Sequence, residues 1–524
     1  MENAVAIHFV DYAIIIATFV LSIGIGLYFS RKQKDTNNYF KAGGKIPSWA
    51  IGMSILATLI SSVTFLAYPG EGYSSNWIRL VQGLMVPLVL IFILGVIVPL
   101  FRKVIRLSAY EYFERRFGFI ARLYTSLGFI LNHFAKMGTV FYLIALALSG
   151  MLGIDTVYII LVIGILVVMI TMIGGIEAVI WLDVVQGFLL IVGGILSLAI
   201  IMFSVDGGPG QIWSVAMENG RIGFGPFDLE FVNLTFIVMA LNGIFYAIQK
   251  YGTDQTIVQR YLTAKSDKEA VKASLIGVLL SVPVWTLFMF IGTALFSYYM
   301  ISGDVLPPDI KPDAVFPFFI MTKLPVGVVG LILSALIAAA FSSLDSDLNC
   351  LSAICLEDYY LRWKPDSTDK HKLVMSKLFI VLAGLGAISV ALFYVYAGGE
   401  GVLGTIFTLY AIFSGGIAGM FLLGIFSRRT NKKGMYFGIM GSILFTLYAV
   451  LTSTPIEVGG ENILLLDLGS ANFMHHKYMI GVYSHIVLMI VAYMASLFFK
   501  DKRVDLSLTY YGWKELKSKT VRNI

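Results

Sequence analysis

Apolar runs of membrane-spanning length recur along almost the whole 524-residue chain, and nothing else in the sequence restricts its fold so severely. A bilayer core takes about 20 helical residues to cross, and inside it every backbone polar group must be satisfied within the segment. Such runs fall near residues 9–29, 47–69, 77–101, 123–151, 155–174, 178–204, 231–252, 273–299, 325–355, 373–397, 402–426, 434–453 and 478–499. The chain is therefore expected to be an all-α polytopic membrane protein with about 13 transmembrane helices. Only 13% of its residues are charged and 58% are hydrophobic, where soluble domains carry about 25% charged residues.

The net charge of +6 has a topological origin and does not point to nucleic acid. With the N-terminus outside, the inner loops, their helix edges and the tail hold 31 of the 38 Lys and Arg. The outer side holds Arg79, Arg221, Lys311, Lys323 and Lys477, so the positive-inside rule sets the orientation, with a cytoplasmic C-terminus and a bacterial inner membrane as the expected location. Lys136 and Lys250 remain, inside or at the edge of spans. The first run is preceded by acids and followed by basic residues, which reads as a retained span and not a signal peptide. The tail from Lys500 mixes aromatics with Lys and Arg and reads as an interfacial segment on the inner leaflet. Cys350 and Cys355 lie five apart on one apolar segment, a spacing that closes no disulfide in a straight helix and matches no metal-ligand pattern.

Two spans are interrupted. The second carries Thr58, Ser61, Ser62 and Thr64 and ends at Pro69 and Gly70; the seventh breaks at Gln249, Lys250, Gly252, Thr253, Asp254 and Gln255. They lie five spans apart, so they cross in opposite directions. An inverted repeat of five helices with a discontinuous first helix requires this arrangement, and it places the ligand site at the breaks.

The stretch AAAFSSLDSDLN, residues 338–349, places hydroxyls and acids inside the ninth span. Helical spacing puts Ser342, Asp345, Ser346 and Asn349 on one face, flanked by Ala339 and Ser343. Asp347 points about 200° away from Asp345, at about 100° per residue, and must meet other neighbours. A hard cation needs oxygen ligands, and a helix break frees carbonyls from the hydrogen-bond ladder. Carbonyls near Ala57 to Ile60 beside the hydroxyls of Ser342 and Ser343 form a low-charge oxygen site that suits Na⁺ better than a divalent ion. Asp183 and Asp345 are acids inside spans, which makes both functional candidates.

The segments GGIEAVIWLDVVQG (174–187), YGTDQTIVQRYLTAKS (251–266), AAAFSSLDSDLN (338–349) and NYFKAGGKIPSWAIGMSILAT (38–58) resemble the sodium/solute symporter family, which includes sodium/glucose, sodium/galactose and sialic acid transporters. The resemblance implies a LeuT-like core of two inverted five-helix repeats. It divides the chain into a first accessory helix with its inner loop (1–46), a first repeat (47–204), a second repeat with outer loops (205–426), and accessory helices with a cytoplasmic tail (427–524). It also implies a first sodium site at Ala57, Ile60, Ala339, Ser342 and Ser343. A second site in some members maps to Asp183, Ser342 and Ser346, and there this chain has Asp345 in place of the family's serine. The substrate pocket maps to Ser61, Thr64, Gln82, Asp254 and Gln255. Lys136 falls where the sialic acid carriers have an arginine, although a lysine offers a point charge and not a planar fork.

The expected function is Na⁺-driven import of a small polar solute, a sugar or acidic sugar such as sialic acid, with a monocarboxylate, an amino acid or a vitamin-like solute as alternatives. One or two Na⁺ ions are the coupling ions, and the other expected partners are the solute and the bilayer, with a single chain as the working unit. The alternative to a second Na⁺ at Asp345 is a proton. An ATP-driven pump is disfavoured, since KAGGKIP lacks the first Gly and the Ser or Thr of a P-loop. A channel has no need of two broken helices, a sensor would carry a signalling domain after the last span, and His133 and His485 read as satisfied core residues.

Overall fold

The computed structural model describes residues 8–30, 35–397, 415–458, 461–499 and 505–515. Among these, nine helices are long and apolar enough to cross a membrane, and a tenth span is a pair of helices bent by 57° at a short break. The main elements are α1 (Phe9–Ser30), the broken pair α2 (Ser48–Leu59) and α3 (Ser62–Ser74), α4 (Leu80–Val104), α5 (Phe119–Leu152) and α6 (Thr156–Phe203). They continue with α7 (Phe236–Gly252), α8 (Gln255–Thr263), α9 (Asp267–Ser302), α10 (Val328–Ile354), α11 (Asp369–Ala397), α12 (Ile417–Phe426), α13 (Lys432–Ser453) and α14 (Tyr478–Phe498).

The count differs from thirteen for physical reasons. A straight helix of 48 residues such as α6 would be about 72 Å long, more than twice the bilayer core. Gly175 at φ 61, ψ −173 folds it into two spans, the fifth and sixth expected from the sequence. The seventh run is covered by α7, only 17 residues long, and the chain continues past the break into α8. Residues 402–414 of the eleventh run lie outside the described residues, and α12 is its remainder. Between the spans, the loops hold two helices, Gly208–Glu218 and Pro312–Lys323, and a β-hairpin of Pro455–Val458 with Glu461–Leu464, none of which apolar periodicity announced.

The packing shows a crossed symmetry. The broken pair α2/α3 lies along α9, which follows the second break, while α7 lies along α4, which follows the first. The approach of α3 to α9 is close enough to require glycine: a Cβ at Gly292 would sit 1.9 Å from the Pro69 carbonyl oxygen, and one at Gly72 2.1 Å from that of Met289. Around this bundle, α5 packs on α11 and α10 packs on α6.

In α10 every residue except Val328 and Leu331 is buried. A helix enclosed on all sides by protein has no lipid face, which explains how it carries acids. Its N-terminus is tied to α1: the buried Asp11 carboxylate accepts the N–H groups of Gly327 (2.8 Å) and Gly330 (2.7 Å). The starts of α1 and α10 therefore lie on the same side of the membrane, as the sequence reading requires. In the tail, Leu508 is buried against the protein, its carbonyl accepts Tyr112 Oη at 3.1 Å, and the Arg428 guanidinium lies 3.9 Å from the Tyr511 ring centre. Residues 516–524 of the tail lie outside the described residues.

Candidate functional site

At the first break, Ile60 (φ −104, ψ 117) and Ser61 (φ −125, ψ −175) are extended, so α2 stops and α3 restarts at Ser62. The Ile60 N–H still donates to the Leu56 carbonyl at 3.1 Å, and Ser61 Oγ caps α3 by accepting the Val63 N–H at 3.2 Å. Beyond Leu56 the helical ladder ends, which leaves the carbonyls that follow it, Ala57 among them, free for other partners. α10 packs against both α2 and α3. On α10, Ala339, Ser342 and Ser343 are buried, and Ser343 Oγ has no hydrogen-bond partner. A buried hydroxyl without a partner is costly, and together with ladder-free carbonyls it supplies the hard, low-charge oxygen set that Na⁺ favours. Gly187 of α6 lies close to α2, where a Cβ would meet Met53 Cε at 3.1 Å and Ala57 Cβ at 3.6 Å.

The second constellation contains a cation that the sequence reading missed. Arg260 of α8 is fully buried; its Nη2 donates to Asp183 Oδ2 at 2.8 Å and to Ser346 Oγ at 2.7 Å. Its Nε donates to Ser54 Oγ at 2.7 Å and its Nη1 to the Thr256 carbonyl at 2.6 Å. Asp183 also accepts from Ser342 Oγ at 2.5 Å and from Ser54 Oγ. Asp183, Ser342 and Ser346 are thus brought together as expected, around a guanidinium. Asp345 accepts a long 3.5 Å hydrogen bond from Ser346 Oγ. The knot of Arg260, Asp183 and Asp345 carries one negative charge in excess when both acids are ionised.

On the opposite side of α10, Asp347 has the separate neighbours that helical rotation requires. Lys136 Nζ of α5 lies 3.0 Å from Asp347 Oδ2 and donates to Oδ1 at 3.2 Å. Asp254 pairs with Lys250 at 2.6 Å and caps α8 by accepting the Thr256 N–H at 2.9 Å. The acid paired with Lys136 is therefore Asp347. His133, expected to be a satisfied core residue, is satisfied at one nitrogen only: Nδ1 bonds the Phe129 carbonyl at 3.0 Å, while Nε2 has no hydrogen-bond partner and lies 3.6 Å from both Asp254 and Asp347.

Of the remaining expected residues, Ser61 and Thr64 are buried at the break. Gln82 bonds Asn242 Oδ1 at 2.7 Å and ties α4 to α7. Gln255 is committed elsewhere: it accepts the Ala109 N–H at 2.7 Å and donates to the Leu107 carbonyl at 2.8 Å, holding the loop after α4. The signal that could have located Arg260 is its place on a short helix just past a break, four residues after Thr256.

Two broken helices, each packed with the helix that follows the other, and buried charges and hydroxyls at the breaks define a secondary transporter of LeuT-like architecture. The sodium:solute symporter family profile matches residues 39–442, and the chain belongs to this family. It is 33% identical over 494 residues to the sodium/sialic acid symporter NanT of Aliivibrio fischeri, covering 94% of each chain. Identity to the sodium/sialic acid symporter SiaT of Proteus mirabilis is 35% over 468 residues, 86% of this chain and 94% of the relative. The sodium/glucose cotransporter of Vibrio parahaemolyticus is 32% identical over 469 residues, covering 84% and 85%. Among solved structures, a substrate-bound, outward-open Na⁺-coupled sialic acid symporter superposes with a TM-score of 0.85 at 32% identity, covering 95% of this chain and 99% of that one. A nucleobase-cation-symport-1 family transporter shares the fold at a TM-score of 0.54 and 14% identity, covering 87% and 93%. The chain is a multi-pass integral membrane protein and a sodium-coupled symporter, not an enzyme.

Proposed function

We propose that the chain imports a carboxylate-bearing sugar of the sialic acid type together with Na⁺. The observation that carries this reading is Lys136, a lysine inside a span whose side chain is 22% exposed while its partner Asp347 is 1% exposed. The Lys136 side chain is thus the accessible member of the pair. The solute would lie against Lys136 with Ser61 and Thr64 at the break and Gln82 beyond, while Asp254 caps α8 and ties it to Lys250 of α7. Gln255 falls outside this set because its amide is already used. The names of the relatives support the same solute class.

In this reading Ala57, Ile60, Ala339, Ser342 and Ser343 hold one Na⁺, which ties the broken pair to α10 and orders the solute pocket beside it. Rocking of the bundle against its surroundings then releases both inward, with residues 47–204 and 205–426 as the two repeats, 1–46 and 427–524 as accessory segments, the N-terminus outside and the C-terminus in the cytoplasm of a bacterial cell. One chain contains every residue named.

The test is Na⁺-dependent uptake by proteoliposomes offered sialic acids, neutral sugars, monocarboxylates and amino acids. Sialic acid is expected to be taken up, and Lys136→Ala to weaken it about 10- to 150-fold, as the loss of a charge-assisted hydrogen bond of about 1.5–3 kcal/mol implies. Uptake of a neutral sugar in preference, or unchanged affinity in Lys136→Ala, would reject the anionic reading.

The excess charge at Asp345 supports a second bound cation, with Ser346, Ser342 and Asp183 as its other oxygens. At 100 mV each net charge moved inward adds about 2.3 kcal/mol, so beside a carboxylate solute one Na⁺ gains nothing from the potential, whereas two Na⁺ gain about fifty-fold accumulation. The Na⁺-to-solute ratio is expected to be about two in the wild type and about one in Asp345→Ala, which leaves no side-chain oxygen at this position. An equal ratio in both proteins would remove Asp345 from the coupling.

A further inference from the structure

We propose that His133 is a proton site loaded by solute binding: a carboxylate that draws Lys136 away from Asp347 leaves Asp347 and Asp254 facing His133, which then binds a proton at Nε2. The inference rests on the reading of Lys136 as the solute's anchor.

The geometry around His133 is unusual for a neutral imidazole. A carbonyl oxygen only accepts, so Nδ1 must be the nitrogen that carries hydrogen toward Phe129, and in the neutral ring Nε2 holds a lone pair. That lone pair faces two carboxylate oxygens at 3.6 Å each. None of the three atoms can donate a hydrogen bond to another. A proton on Nε2 converts the arrangement into a cation between two anions.

The charged and titratable groups around the ring come from every neighbouring element. They are Lys136 on its own helix, Asp347 and Cys350 on α10, Lys250 and Asp254 at the second break, and Tyr110, whose ring contacts Phe129 beneath the imidazole. With both lysines and both aspartates charged, the cluster is neutral when His133 is neutral. Side-chain exposure is 2% for His133, 1% for Asp347, 7% for Asp254 and 8% for Lys250, so their pairs are enclosed and Lys136 is the accessible member.

The exchange balances. An ammonium-to-Asp347 contact breaks, an ammonium-to-solute contact forms, and one proton from the water that delivers the solute adds to Nε2. The cluster with its anionic solute is then neutral again, as a buried site requires. Departure of the solute restores the Lys136–Asp347 pair and expels the proton. No electrons move, and Na⁺ is bound elsewhere.

The experiment uses full-length protein in proteoliposomes with an inward Na⁺ gradient, the potential clamped at zero by K⁺ and valinomycin, and a pH-sensitive dye trapped inside. Sialic acid addition is expected to carry about one proton inward per solute, and a transported neutral sugar none. In His133→Gln the proton-to-solute ratio is expected to fall about ten-fold. Should that variant fail to fold, the wild-type contrast between charged and neutral solutes still decides. Na⁺-driven sialic acid uptake without proton influx overturns this proposal and leaves the solute reading standing. Proton influx that persists in His133→Gln also overturns it and moves the proton to another acid, Asp345 first. Absence of Na⁺-driven uptake of any carboxylate, with a neutral sugar transported, overturns both readings.

Discussion

Replacing Arg260 with Met is expected to destabilise the protein by about 3–5 kcal/mol, the usual consequence of removing one partner of a buried ion pair. The guanidinium contacts Asp183, Ser54, Ser346 and the Thr256 carbonyl at 2.6–2.8 Å with no exposure to solvent. Without it Asp183 becomes an uncompensated charge enclosed by protein, and Asp345 lies beside the same serines. Arg260→Lys is not expected to rescue, because an ammonium cannot reach four acceptors arranged around a planar fork. Adding Asp183→Asn to Arg260→Met removes the stranded charge and is expected to restore part of the loss. Thermal unfolding of detergent-purified protein measures all three variants. An Arg260→Met protein as stable as the wild type would show that the knot is not what holds α8, α6 and α10 together.

Ser343→Ala is expected to raise the Na⁺ concentration for half-maximal uptake about 10- to 150-fold, on the basis of about 1.5–3 kcal/mol for a ligand to a charged partner. Its stability without Na⁺ should stay close to that of the wild type, because Ser343 Oγ has no hydrogen bond to lose. Ser342→Ala should differ. Its hydroxyl donates to Asp183 at 2.5 Å, so this variant loses stability as well as Na⁺ affinity. Unfolding temperature measured against Na⁺ concentration separates the cases, since a ligand that binds only the folded state stabilises it by an amount that grows with the logarithm of its concentration over its dissociation constant. A Ser343→Ala protein with the wild-type Na⁺ response would exclude this hydroxyl from the sodium site.

The sequence placed the hydroxyls better than it placed the charges. Ser342, Ser343 and Ser346 follow from helical spacing along one segment, and the break at Ile60–Ser61 follows from local interruption of an apolar run. Both are properties of neighbours in the chain. Arg260, by contrast, stands in QRYLTAKSDKEAVK and was counted with the inner basic residues, although the structure buries it completely. The same is true of Asp347 with Lys136, which are 211 residues apart, and of His133 between Asp254 and Asp347. Gln255 was assigned to the pocket by its motif, and its amide instead holds the Leu107–Ala109 loop.

By itself, then, the sequence determined that the chain crosses a membrane many times, that two of its helices break at inverted positions, and that one central helix carries oxygens on a single face. Apolar length, charge bias between loops and a period of 3.6 residues are short-range quantities that a linear text records. Only the tertiary structure decided which acid meets which base. In a low-dielectric interior a buried charge takes whichever partner three-dimensional packing presents, and sequence separation has no bearing on that choice. That packing set Arg260 against Asp183, Lys136 against Asp347, and left one nitrogen of His133 between two carboxylates.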